Sequence, residues 1–164
     1  DYLMFALQTL SDDLATVSYR SVGKQLAPLI VRTRGHRLEG MWHAGSPMGM
    51  ILNSLKGMLV LTPRNMVQAS GMYNTLMACT DPAIIIEPLN AYRLKEKEPL
   101  NLGEFTVPLG KIEIINPGSD ITVVSYGSTL KLVEKTIPEL ERNNINIELI
   151  DIPVSYTHLT LPTK

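Results

Sequence analysis

Among the side chains of this sequence, His43 is the one best suited by type to move a proton near neutral pH, because an imidazole both donates and accepts there. It follows Trp42 inside the glycine-rich stretch GHRLEGMWHAGSPMGM, from Gly35 to Met50, which has no clean apolar period and reads as a long loop. The loop comes after the apolar run Ala27 to Val31, and open α/β sheets bind ligands outside the carboxyl ends of their strands. A lone histidine carries no information about a partner, so the residues alone leave a solvated or structural His43 open beside a catalytic one. His36, in the same stretch, has weaker claims. The turn Tyr126-Gly127-Ser128-Thr129 lies between an apolar run and a helical pattern; its backbone N–H groups could hold an anion, although a capped helix start is the commoner role. The sequence contains no GxGxxG, GxxxxGK[ST], HExxH or GxSxG pattern.

These residues need a frame. Leu3, Ala6, Leu7, Leu10, Leu14 and Val17 recur at helical spacing and predict a helix over about 2–18. Ala27–Val31, Met58–Thr62 and Ala83–Glu87 are short buried strands. Between them lie helices over about 47–56, started by Ser46-Pro47, and 65–78. That alternation predicts an α/β fold with a parallel sheet flanked by helices. Between Asn90 and Leu109 the apolar periodicity fades into Lys95-Glu96-Lys97-Glu98-Pro99 and Gly103-Glu104-Phe105, as in a linker. A second unit then begins: strands 111–115, 121–125 and 145–151, with a helix over 128–143 that Pro138 should kink or restart. The expected division is 1–95, a linker with the first strand at 96–118, the opening of a second α/β domain at 119–152, and an unrelated tail at 153–164. In that tail VSYTHLTLPTK, which contains His158, alternates threonine, leucine and proline without period. It reads as a non-native adapter or frame-shift scar and is excluded from the expected fold.

The 164 residues are 45% apolar and 19% charged, as expected of a globular chain of about one domain or pieces of two. A formal net charge of -1 gives no general attraction to nucleic acid or to anionic membrane, so neither is an expected partner. The longest apolar runs fall far short of the roughly 18 residues needed to cross a bilayer. Cys79 is the only cysteine, which rules out an intrachain disulfide and points to a reducing compartment, bacterial cytoplasm or mitochondrial matrix.

The stretch GHRLEGMWHAGSPMGMILNSLKGMLVLTPRNMVQASGMYNTL, continued by IIIEPLNAYR and LGEFTVPLG, resembles the beta subunit of the thiamine-diphosphate-dependent 2-oxo acid dehydrogenases. SDITVVSYGSTLKLVEK followed by NINIELIDI is similar to the start of that family's transketolase-like carboxyl-terminal domain. The match covers residues 1 to about 152. It implies a fragment: the latter part of the pyrimidine-binding domain, a linker and the start of the next domain.

The resemblance implies oxidative decarboxylation of a 2-oxo acid, 3-methyl-2-oxobutanoate or pyruvate, with acyl transfer to a lipoyl group, as in branched-chain amino acid catabolism. Thiamine diphosphate would do the covalent chemistry at the contact between alpha and beta subunits of a heterotetramer that works with a lipoyl acyltransferase core. Tyr2 matches the aromatic position that packs on the aminopyrimidine ring, and His43 matches the histidine that moves protons during acyl handover. Asp81 matches a loop that in relatives holds a structural monovalent cation such as potassium, although Asp81-Pro82 also suits an ordinary helix-to-strand turn. The activating glutamate is expected before Asp1, and neither Glu39 nor Glu87 replaces it. The alpha subunit is expected to hold the diphosphate and its magnesium. Another transketolase-like thiamine-diphosphate enzyme, or a non-catalytic assembly module of the same fold, are the alternative readings.

Overall fold

A computed structural model describes residues 3–37 and 47–156. The first sheet has the strand order β1-β3-β2-β7, with β1 Ile30–Gly35, β2 Leu59–Leu61, β3 Ala83–Pro88 and β7 Val154–Tyr156. The first three strands are parallel, with Ile30 opposite Ala83 and Leu59 also opposite Ala83. Alternation along β3 explains why helices cover both faces, since successive side chains of a strand point to opposite sides. Ile84 and Ile86 face one core with Met48 and Ile51 of helix α3, Met48–Ser54, and with Leu55 just after it. The helical stretch before β1 joins the same core through Leu10. That stretch comprises α1, Leu3–Gln8, a π-helical segment, Thr9–Leu14, and α2, Val17–Arg20. On the other face, Ala83 and Ile85 pack with Met72 and Leu76 of α4, Met66–Met77. Asn65 caps α4, its side-chain oxygen accepting from the Gln68 N–H at 2.7 Å.

The second sheet runs β4-β6-β5, with β4 Glu113–Asn116, β5 Ile121–Ser125 and β6 Ile147–Asp151; β5 and β6 are parallel and β4 is antiparallel to β6. Helix α5, Gly127–Arg142, connects β5 to β6. The structure is thus α/β, with parallel strands flanked by helices.

Four expectations are corrected. Strand β1 starts later than Ala27 and runs through the charged Arg32-Thr33-Arg34, because it is an edge strand whose alternate side chains reach water. The expected 2–18 helix changes hydrogen-bond pitch in its middle. Pro138 leaves α5 as one helix; the proline is exposed, so the Glu134 carbonyl that loses a donor can be solvated. The tail is not excluded from the fold: Val154–Tyr156 adds antiparallel to β2, whose outer backbone groups would otherwise lack a ladder partner. Residues 157–164, with His158, lie outside the described residues. Among the described residues no helix is long and apolar enough to cross a membrane.

Segment 96–109 is pinned to α4. Asn74 donates to the Leu102 and Phe105 carbonyls at 2.9 and 2.8 Å, and Thr75 Oγ1 donates to the Val107 carbonyl at 2.7 Å. Gly71 makes room for this strap: a Cβ there would lie 2.5 Å from Phe105 Cε2.

Candidate functional site

At the carboxyl end of β1 a cavity is lined by Leu3, Met4, Thr33, Arg34, Gly35, His36, Pro47, Met48, Ile51 and Ile86. Residues 33–36 and 47–51 supply most of its wall, and parallel pairing of β1 with β3 brings Ile86 beside Thr33. His36 is buried and sits at the seam between the two sheets. Its ring stacks on Tyr126 with centroids 4.7 Å apart, and its Nε2 lies 3.3 Å from the Tyr126 carbonyl oxygen. Burial holds the imidazole below its ordinary range, and the bond to the carbonyl only partly opposes that. The first turn of α5 rests on this ring, since Gly127 packs against His36 and Thr62. Tyr126 takes the N-cap position with no side-chain cap bond.

The seam also holds a buried ion pair. Arg64 Nη1 donates to Asp151 Oδ2 at 2.7 Å and to Glu113 Oε2 at 2.7 Å, while Nη2 reaches Glu113 Oε1 at 3.0 Å. Gln68 Nε2 donates to the same Asp151 oxygen at 3.0 Å. Burial alone would lower the Arg64 guanidinium, but the bonds from Glu113 and Asp151 outweigh it and keep the charge. Asp151 is fully buried, and its Oδ1 has no partner among the described residues.

On the opposite face of the first sheet, Glu87 accepts from Arg32 Nε at 2.6 Å, Tyr73 OH at 2.6 Å and Tyr92 OH at 2.5 Å. Burial would raise the Glu87 carboxyl, yet these three donors together hold it below the usual carboxylate range. Burial and the bond to Glu87 push the Tyr73 phenol well up. Glu87 is therefore committed to its own cluster and faces away from the cavity at His36.

Of the residues singled out from the sequence, Tyr2 and His43 lie outside the described residues, as do Glu39 and the cap candidate Ser46. The cavity wall nevertheless includes Leu3, which follows Tyr2 in the chain, together with His36 and Pro47 on either side of the segment that contains His43. Asp81 is exposed in the turn between α4 and β3. Among the described residues no three His, Cys, Asp or Glu side chains come together around an ion. A cation at that turn would need backbone carbonyls beside Asp81.

The cavity itself is small, about 20 Å³, room for a single water molecule. Its wall is mostly apolar, from Leu3, Met4, Met48, Ile51 and Ile86, with His36 and Thr33 as its polar members. Sequence reasoning missed Arg64, Asp151, Arg32, Tyr73 and Tyr92, whose partners are remote in the chain. The available signal was charge at the ends of apolar runs, as in Arg32 and Glu87.

Comparison with known proteins agrees with this architecture. Residues 110–157 match the family "Transketolase, C-terminal domain". The chain is 30% identical over 140 residues to the pyruvate dehydrogenase E1 component subunit beta of Acholeplasma laidlawii, covering 84% of this chain and 42% of that protein. It is 32% identical over 163 residues to the mitochondrial 2-oxoisovalerate dehydrogenase subunit beta of Chaetomium thermophilum, covering 95% of this chain and 34% of that one. The chain thus spans less than half the length of these relatives. Among solved structures, a split-gene transketolase superposes with a TM-score of 0.60 at 15% identity, covering 85% of this chain and 47% of that one. A transketolase from Pichia stipitis gives a TM-score of 0.59 at 17% identity, covering 88% and 22%. At such identities the superpositions speak for the fold alone. Over most of its own length, then, the chain is similar to the beta subunits of pyruvate and 2-oxoisovalerate dehydrogenases, and its residues 110–157 match the transketolase C-terminal domain.

Proposed function

We propose that this chain is part of the beta subunit of a 2-oxo acid dehydrogenase acting on pyruvate or 3-methyl-2-oxobutanoate and passing the acyl group to lipoyl. The observation that carries the reading is the cavity at the carboxyl end of β1, walled by the chain neighbours of Tyr2 and by residues flanking the segment that contains His43. In this reading residues 1–95 are pyrimidine-binding, 96–118 connect and 119–152 open the next domain. An alpha subunit completes a heterotetramer and holds the diphosphate and magnesium, and a lipoyl acyltransferase core accepts the product.

Thiamine diphosphate, when bound, supplies the electron sink for decarboxylation. The chain's own residues do the rest. Tyr2 would stack on the flat aminopyrimidine, next in the chain to Leu3 of the apolar wall. His43 gives and takes a proton at the imidazole while the acyl group moves to the lipoyl sulfur. Asp81 would contribute a hard oxygen to a monovalent cation at the α4–β3 turn, beside backbone carbonyls.

The test replaces His43 by Ala and by Gln in the full-length heterotetramer. Folding and cofactor affinity should stay near parental, while acyl transfer to lipoyl slows by about 10²- to 10⁴-fold in both, since an amide keeps a hydrogen bond but exchanges no proton. Parental rates in both variants, or unfolding of both, would remove His43 from the reaction.

A further inference from the structure

The α4 side of the first sheet carries a second cleft, of about 360 Å³, lined by Arg32, Tyr73, Glu87 and Tyr92 with Met66 and Ala69 among its apolar residues. Strand alternation sets it apart from the cavity at His36: Arg32 and Glu87 line the cleft, whereas their neighbours Thr33 and Ile86 line the cavity.

The bonding of the cluster shows what remains for a ligand. Each tyrosine spends its one hydroxyl proton on Glu87, and Arg32 spends only Nε there. Among the described residues the one ion pair of Arg32 is through Nε; the Tyr92 hydroxyl also lies beside the guanidinium, and the side chain is 66% exposed, so Nη protons still face water. The Glu87 carboxylate, only 12% exposed, fixes the guanidinium plane from one side and leaves a pre-oriented fork of N–H donors on the other. The apolar residues beside it suit a hydrocarbon or aromatic body. Glu87 also sets the charge that is tolerated, because a second negative group on the ligand would meet its carboxylate.

We propose that this cleft is a binding site for a small monocarboxylate with an apolar or aromatic body, the carboxylate bridging the two Nη groups of Arg32 and the body lying against Met66 and Ala69. The site is separate from the thiamine diphosphate reading and stands whether or not that reading holds.

The test titrates sodium phenylacetate and 4-methylpentanoate into the 164-residue chain while following methionine methyl and tyrosine ring signals by NMR. Saturable shifts are expected at Met66, Tyr73 and Tyr92, with Met48 in the opposite cavity unmoved. Phenylacetamide, which lacks the charge, and succinate, which doubles it, should each bind at least about tenfold more weakly. Arg32→Gln should weaken phenylacetate by a similar factor, and Arg32→Lys, which keeps the charge without the fork, should fail to restore it. Shifts that do not saturate at tens of millimolar, equal binding of the amide, or shifts centred on Met48 would overturn the proposal. The ligand comparison uses the unaltered chain, so it decides the matter even if an Arg32 variant does not fold.

Discussion

Gly127 lies directly against His36: a Cβ built on the glycine would stand 2.6 Å from the imidazole Cδ2 and 2.9 Å from Nε2. The two residues belong to different sheets' neighbourhoods, so the contact ties the start of α5 to the wall of the cavity at His36. Gly127 also has φ +53°, in the left-handed region that costs an ordinary residue roughly 1–2 kcal/mol.

Gly127→Ala should therefore lose about 2–4 kcal/mol, combining backbone strain with a clash against a buried ring. Gly49→Ala is the control, since nothing lies within 4 Å of a Cβ in that exposed turn of α3, and it should gain up to about 1 kcal/mol. Denaturant melts of the two variants check both signs.

The Arg64–Asp151 pair should respond asymmetrically. Arg64→Met strands a fully buried carboxylate and should cost about 3–5 kcal/mol, whereas Arg64→Met with Asp151→Leu should recover more than half of that loss. A double-mutant cycle that includes Asp151→Leu alone, read by chemical denaturation, measures it; a double-variant loss equal to the sum of the two single losses would show that the pair contributes no coupling.

Asn74→Ala removes both bonds that hold the strap at Leu102 and Phe105. The global melt should drop by only about 1–2 kcal/mol, while proteolysis and amide exchange across 101–107 rise sharply. Unchanged exchange there would mean that Phe105 packing near Gly71 suffices.

Stability should fall as pH drops from 7 toward 5. Burial keeps the folded His36 pKa below its ordinary 6.5, so the unfolded chain takes up a proton that the folded chain refuses. Glu87 adds a second loss in more acid solution: its folded carboxyl is held low, so its contribution is complete above the ordinary 4.5 and disappears as pH falls through the folded value. Melting temperatures against pH should show both arms, and His36→Gln should flatten the first.

Much of the fold was written in local pattern. The apolar runs at Met58 and Ala83, the capped α4 and the strand-helix-strand order after Asp120 follow from burial periodicity and backbone chemistry, which a single sequence displays directly. The motif-bearing stretch from Gly35 to Leu76 was equally legible, and with it the kinship to dehydrogenase beta subunits. Local pattern failed where an edge mattered: Arg32 and Arg34 read as the end of a strand until sheet order made β1 the outer one. Only tertiary structure could pair Arg64 with Asp151, seat Tyr126 on His36, or gather Arg32, Tyr73 and Tyr92 around Glu87. Those contacts depend on which strands lie side by side and which faces of α4 and α5 meet them. Their energy comes from desolvating opposite partners together, a property of the assembled chain that no window of neighbouring residues contains.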